Sequence, residues 1–498
     1  MKMLMTGLLL ALLCLGTIPG PSQAANPCFS ALDDALNVHI PALVFGTQAF
    51  VADLAYNPSG PAGAPGILFK LNLSTFAASA LTSCSNPARL FLDGSAWTVR
   101  LPMITFSGGP LWAELQYVPT TDGEVWLQVS SAGFMPNQVF VTSDSGNGNL
   151  STWENAGGLT GLAAGDAICQ HAAVQAGLLG TYRAWLSDSA DDAYCRIVGL
   201  SGKKSANCGQ AALPAAAGPW VRTDGFPFGG TIDQITTIDA VYAPAATNEQ
   251  GSFFSFYDWQ YFTNTWTDGT LSDPSNTCND MTTGDSSVSG RGGGAAATGR
   301  GWTAQWGGGC SGASSLLCFQ VGSGPTLPPF ALPGKRVFVS STAGNGNLST
   351  WPGASGATGV EAGDAVCRTL AAAAALPNAS SYKALLSTSA SDVKDRIISD
   401  GPWVRLDGVL VADSKADLLD GTLFAPINIT EQNSALAGNR AWTGSLRNGT
   451  KQPGTCGDWT QATAGTSDVG VVYEAGRAWA DWNTFDCSES ANLYCFED

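Results

Sequence analysis

The sequence predicts an all-β N-terminal domain followed by two tandem copies of one α+β module. Three observations predict it. Apolar residues alternate with period two between positions 35 and 119. VFVTSDSGNGNLSTW (139–153) returns as VFVSSTAGNGNLSTW (337–351). The cysteines are spread in the same way over both copies.

The first residues, MKMLMTGLLLALLCLGTIPGPSQA, combine a positive start at Lys2, an apolar run from Leu8 to Leu15, and small residues at Ser22 and Ala24. This pattern reads as a cleavable secretory signal over 1–24 and is set aside from the fold. No later stretch offers the ~18 uninterrupted apolar residues of a membrane-spanning helix, so membrane insertion is not expected. The chain has 13 cysteines, and Cys14 leaves with the signal. The even remainder in an exported chain points to a disulfide framework and to a secreted or cell-surface location. Lys and Arg total 23 against 40 Asp and Glu, for a net charge of −17. That balance excludes nucleic acids and heparin-like polyanions as partners, because phosphate and sulfate contacts need Lys and Arg.

Residues 25–135 carry a duplication of their own. ALNVHIPALVFGTQAFVADLAYNP (35–58) aligns without gaps on AWTVRLPMITFSGGPLWAELQYVP (96–119). Alternating apolar positions bounded by Pro and Gly are the mark of half-buried strands. The expectation is an antiparallel, sandwich-like β-domain with two half-repeats. Cys28 and Cys84 are its only cysteines and are expected to pair.

The long repeat sets modules at 136–322 and 336–498. A Pro/Gly-rich stretch between them (323–335) reads as a short, semi-stiff linker. AGDAIC (164–169) matches AGDAVC (362–367), and GPWVRTDG (218–225) matches GPWVRLDG (401–408). Trp266-Thr267 is aligned with Trp442-Thr443, and Arg300 and Trp302 with Arg477 and Trp479. VFVTS and VFVSS read as strands and GNGNLS as a turn. Asp166 and Asp364 are expected at the starts of Ala-rich helices, where a carboxylate suits the helix N-terminus. A second short helix is expected after Ser187 and Ser387. Each module shares four cysteines: Cys169, Cys278, Cys310 and Cys318 in the first, Cys367, Cys456, Cys487 and Cys495 in the second. Four cysteines allow three pairings, which spacing alone leaves open. Cys195 and Cys208 lie together in an insertion that the second copy lacks, so they are expected to bond each other.

These motifs together resemble the C-type lectin-like fold. More specifically, they resemble bacterial extracellular domains of unknown function related to endostatin. The residues that carry the resemblance are the opening VFVTS/VFVSS strand, GDA-(I/V)-C, GPWVR-x-DG and the ending CSESANLYCFED. The resemblance covers both modules. It implies nested bonds, Cys169–Cys318 around Cys278–Cys310 and Cys367–Cys495 around Cys456–Cys487. It also implies adhesion to an extracellular glycan or protein. Sugar-binding members hold calcium through two ligand triplets. Here Trp482-Asn483-Thr484 has Thr in place of the ligating Asp, and Gln452-Pro453-Gly454 lies too close to Cys456. Calcium is therefore possible on an incomplete motif; no other cofactor and no metal site is expected.

Enzyme chemistry finds little support in the residues. There are only two histidines. His39 lies on a strand where the other half-repeat has Arg100, and His171 on the first helix. No G-x-S-x-G, H-E-x-x-H or phosphate-binding loop occurs. GRGGGAAATGRG (290–301) reads as a flexible loop. No catalytic residue is assigned and the chain is not expected to be an enzyme. Trp153/Trp351, Trp220/Trp403, Trp266/Trp442 and Trp302/Trp479 recur in both copies and read as scaffold. Trp185, Trp259, Trp306, Trp459 and Trp482 occur once. FFSFYDWQYF (253–262) is the densest aromatic segment. The candidate ligand-binding residues are Phe256, Tyr257, Trp259, Tyr261, Trp306, Trp459, Trp482 and Asn483, since exposed aromatics stack on sugars or anchor protein interfaces. The leading expectation is a secreted or surface-exposed binding protein. A carbohydrate-active hydrolase using paired carboxylates and a structural coat protein are the alternatives.

Overall fold

The computed structural model describes residues 26–498 apart from 62–65, 82–83, 107–108, 122, 215, 237–240 and 255–258. The secretory signal expected at 1–24 lies outside the described residues. The described residues are mostly β, with few helices and three sheets.

Nine strands make the N-terminal domain: β1 (Ser30–Leu32), β2 (Val38–Phe45), β3 (Gln48–Tyr56), β4 (Leu68–Leu71), β5 (Ala77–Ala78), β6 (Ala88–Asp93), β7 (Ala96–Thr105), β8 (Leu111–Val118) and β9 (Trp126–Phe134). The half-repeats are real in space. β2 bulges between Ile40 and Leu43 in pairing with β3, and β7 bulges between Leu101 and Ile104 in pairing with β8. Pro41 and Pro102 sit in these bulges, where a ladder N–H is not needed.

The expected sandwich is corrected to a closed barrel. The order β2-β6-β7-β8-β9-β4-β3 returns to β2, so seven strands form a ring. Past its bulge, β2 pairs Leu43 and Val44 with Ala88 and Arg89 of β6, while its other side stays on β3. That second pairing removes the edge at which two sheets would separate. Val38, Ile40, Leu54, Val99, Leu101 and Leu115 face inward and form the core.

Module 1 contains β10 (Asn137–Val141), helix α1 (Gly161–Gln175), β11 (Tyr182–Ala184), β12 (Trp220–Arg222), β13 (Pro227–Gly229), β14 (Gln260–Phe262), β15 (Ser289–Gly294), β16 (Trp306–Gly309) and β17 (Ser315–Gln320). Module 2 repeats it with β18 (Lys335–Val339), α2 (Val360–Ala373), β19 (Tyr382–Ala384), β20 (Trp403–Val404), β21 (Leu410–Ala412), β22 (Arg440–Trp442), β23 (Thr466–Val471), β24 (Asn483–Asp486) and β25 (Asn492–Glu497). The strand orders, β13-β12-β10-β17-β14-β15-β16 and β21-β20-β18-β25-β22-β23-β24, are the same.

Each sheet is buried on both faces, which is why its central strands read as unbroken apolar runs rather than alternating ones. Leu317 and Phe319 of β17 enter one core with Trp185, Trp220 and Trp302. Leu316 and Cys318 enter the other with α1. Short helices follow Ser187 and Ser387 as expected, at Ala193–Ile197 and Val393–Arg396.

Two local expectations are corrected. α1 and α2 begin at Gly161 and Val360, so Asp166 and Asp364 lie inside the helices rather than at their starts. Asp364 instead receives two 2.8 Å hydrogen bonds from Arg396 and one from the Ala384 N–H; Asp166 does the same work with Arg196 and the Ala184 N–H. Each carboxylate pins helix to sheet. The glycine stretch expected to be a loop supplies β15. A Cβ at Gly293 would collide with the Trp302 carbonyl, so glycine is what lets this strand lie against the short helix Gly301–Ala304.

Six cysteine pairs stand at bonding separation: Cys28–Cys84, Cys169–Cys318, Cys195–Cys208, Cys278–Cys310, Cys367–Cys495 and Cys456–Cys487. Their Cα–Cα distances run from 5.3 to 5.6 Å. The nested arrangement in each module is the one the resemblance implies.

The modules also pair with each other. Ala297 bridges Glu474 in antiparallel fashion; Thr298 N–H donates to the Tyr473 carbonyl (2.9 Å) and Ala475 N–H to the Ala296 carbonyl (2.8 Å). Phe226 stacks on Phe424 (6.1 Å) beside Ala243, Val409 and Ala425. The segment expected as a linker packs into this junction. Phe330 meets Tyr242 (5.1 Å), and the Ala331 carbonyl accepts from Arg100 of the barrel (3.0 Å). Arg89 of the barrel forms a forked ion pair with Asp413 of module 2.

Candidate functional site

The aromatic candidates divide by burial. Phe256 and Tyr257 lie outside the described residues. Tyr261 is fully buried, its hydroxyl donating to the Trp302 carbonyl (2.6 Å), and burial pushes its phenol far above the usual range. Trp459 is fully buried too, its indole N–H donating to the Ser387 carbonyl (2.7 Å). Both are core residues, a correction to their expected place on a ligand surface. Tyr261 lies on a strand of three residues and Trp459 in a single helical turn, and both are too short for periodicity to reveal which way a side chain points. Trp259 is half-buried and stacks on Phe254 (4.2 Å) against the module 1 core. Trp306 is half-buried, packed near Phe262 (5.7 Å), with its N–H on the Gly293 carbonyl (3.2 Å). Trp482 is 45% exposed and Asn483 is exposed beside it. The candidates therefore do not converge on one site.

Trp266 is a second correction. The residue equivalent to Trp442 is Phe262, since Phe262 pairs with Leu316 of β17 as Trp442 pairs with Leu493 of β25. Trp442 is buried scaffold, whereas Trp266 is 41% exposed. Trp185, unique to module 1, is fully buried with its N–H on Thr303 Oγ1 (2.8 Å).

What the structure does assemble is an indole–guanidinium stack in each module, with the arginine on a strand and the tryptophan on a connecting segment. In module 2 the Arg440 guanidinium of β22 lies 4.2 Å from the Trp482 ring centre, and Phe485 of β24 meets the same indole edge-on at 6.3 Å. Asp468 of β23 accepts a hydrogen bond from Thr484 (3.4 Å). Burial raises the Asp468 carboxyl above the ordinary range, and the nearby Asp481 charge adds to this; burial raises Asp481 as well. In module 1 the Arg291 guanidinium of β15 lies 4.3 Å from the Trp266 ring centre, on the strand that pairs with β16 and its Trp306. Arg291 occupies the register position that Asp468 has in module 2. The two stacks are not equivalent: Trp266 lies in the loop after β14 and Trp482 at the end of the short helix Ala478–Asp481, and their arginines come from β15 and β22, which do not correspond.

Such a stack is worth about 0.5–1 kcal/mol at an exposed site. It holds a planar cation with several N–H donors beside an apolar rim, a surface that suits sugar hydroxyls, carboxylates or aromatic side chains. Arg291 and Arg440 were not singled out in the sequence, and Trp266 was read there as scaffold. Their signal was an arginine on a strand within an aromatic-rich edge of a chain poor in cations.

His39 is exposed and sits 2.6 Å from Asp53; His171 is exposed on α1. Among the described residues, no three His, Cys, Asp or Glu side chains cluster so as to hold a metal ion. Among them, too, no helix is long and apolar enough to cross a membrane. No protein-family model matches the chain, and no curated protein is similar to it in sequence.

Proposed function

We propose that this is a secreted or surface-exposed binding protein, with two C-type lectin-like modules that recognise an extracellular glycan or protein. The observation that carries the reading is that each module holds an exposed indole against an arginine of its sheet, Trp266 against Arg291 and Trp482 against Arg440. Aromatic and arginine side chains dominate binding hot spots. Here they stand in disulfide-pinned modules with each indole already packed on its guanidinium, so less side-chain freedom remains to be lost on binding. The stacks differ in detail, Trp266 with Arg291 and Trp482 with Arg440, which fits two different ligand surfaces. Because the modules pair through Ala297 and Glu474, two sites would face a ligand at fixed spacing, and avidity would require matching spacing in the ligand.

A screen of mature protein against glycans and extracellular proteins tests this, with Trp266→Ala, Trp482→Ala and added EDTA as arms. Binding that falls at least tenfold in a tryptophan variant and persists in EDTA supports the reading. Loss in EDTA alone would restore a calcium lectin. Binding that both variants leave untouched would remove the stacks from the argument.

A hydrolase is the second reading, favoured by the two carboxyls raised by burial, Asp468 and Asp481, beside exposed Trp482. A carboxyl raised above its ordinary range by burial is shifted in the direction a general acid needs. Release of reducing ends from polysaccharides, abolished by Asp468→Asn, would support it.

A further inference from the structure

Side chains do not fill the barrel completely. A cavity of about 80 Å³ remains inside it, several times the ~10–15 Å³ that one water needs by the same measure. Buried Leu101, Ala113 and Leu115 form part of its floor, and half-buried Leu36, Tyr56 and Ile67 stand at its open end. None of the lining residues is charged. Water gains too few hydrogen-bond partners in such a space, so it stays dry or takes an apolar guest.

The rim is built rather than loose. Leu36 has a φ of 63°, a left-handed conformation that a bulky side chain rarely adopts. Asp33 imposes it: its carboxylate accepts the N–H groups of Ala35 (2.9 Å) and Asn37 (2.8 Å), and its carbonyl accepts that of Leu36 (3.0 Å). These bonds, Asn37 first, hold the Asp33 carboxyl below its ordinary range, so the rim stays anionic at neutral pH. Asp34 adds a second acid to the same turn. A guest with a carboxylate head is repelled there.

We propose that the N-terminal barrel binds a small uncharged apolar molecule, of the size of a short alkyl chain, with its tail in this cavity and its outer end at Leu36. The site lies apart from the stacks on the modules and serves a different ligand.

The test uses the full chain with labelled methyl groups, titrated with 1-hexanol and separately with hexanoate. Saturable shifts of the Leu36, Ala113 and Leu115 methyl signals are expected with hexanol, and at least tenfold weaker binding with hexanoate. Ala113 and Ala132 both line the cavity, so Ala113→Leu and Ala132→Val narrow it and are expected to weaken hexanol binding at least fivefold. The milder Ala132→Val decides the matter if Ala113→Leu fails to fold. No saturable shift up to the solubility of hexanol, or binding that Ala132→Val leaves unchanged, overturns the proposal. Equal binding of hexanoate overturns the uncharged class.

Discussion

Ala297 and Glu474 occupy the same position in their two modules and face each other across an antiparallel bridge. The spacing between them is the one that separates Cys310 from Cys487 and Trp302 from Trp479. The hydrogen bonds around them, Thr298 to Tyr473 and Ala475 to Ala296, exchange under the same correspondence. The modules therefore meet as the two halves of an isologous dimer do, about a local two-fold axis.

Glu474 makes this junction sensitive to pH. It is buried, accepts a hydrogen bond from Gln305, and burial raises its carboxyl to about 7 from an ordinary 4.5. A raised folded-state value means that the folded protein holds a proton which the unfolded chain releases between pH 4.5 and 7. The associated stability is present below 4.5 and lost as pH rises through 7. Unfolding midpoints are expected to be lower at pH 8 than at pH 5, by on the order of 2 kcal/mol from this group. Glu474→Gln should flatten the profile. Asp417, which burial likewise raises to about 7, contributes to the slope that remains, as do Asp468 and Asp481, which burial also raises.

Arg222 and Asp224 form a forked ion pair with no side-chain exposure at either partner, at 2.6 and 3.1 Å. Arg222→Met leaves a buried carboxylate without its cation and is expected to cost about 3–5 kcal/mol in denaturant unfolding. The equivalent Arg405→Met should cost less, because Asp407 is 19% exposed and water can reach it.

The outer disulfide of module 1 closes a loop of 149 residues, and the bond unique to that module closes 13. Loop-entropy arguments put their contributions near 4–5 and near 3 kcal/mol respectively. Paired Cys→Ala variants compared by thermal unfolding should rank in that order.

Trp459→Ala and Trp482→Ala separate scaffold from surface. The first empties a fully buried site and should destabilise by about 3–5 kcal/mol. The second removes a 45% exposed ring and should leave the unfolding midpoint within roughly 0.5 kcal/mol while weakening ligand binding. A buried response at Trp482 would assign its stack to the fold.

The residues made some of this legible in advance and left the rest hidden. Module boundaries and half-repeats were readable because duplication preserves spacing, as at Val38–Leu54 and Val99–Leu115. Barrel closure was not, because alternation reports which face is buried and not that Leu43 pairs with Ala88 as well as Phe50. The site was the least legible. A shared Trp-Thr dipeptide drew Trp266 onto Trp442, and only strand pairing shows that Phe262 holds that place. Trp482 was found by its position before Cys487, but its partner Arg440 comes from a strand 42 positions earlier, a distance across which sequence spacing carries no contact information.

Among the described residues every disulfide lies within the barrel or within one module, and none crosses the junction around Ala297 and Glu474. A protease that cuts the peptide between the modules would thus sever their last covalent tie without removing the surfaces that hold them together. The nicked particle would migrate intact under native conditions and fall into two pieces in detergent, with or without reductant. Covalent continuity and mechanical integrity are separate properties in this chain.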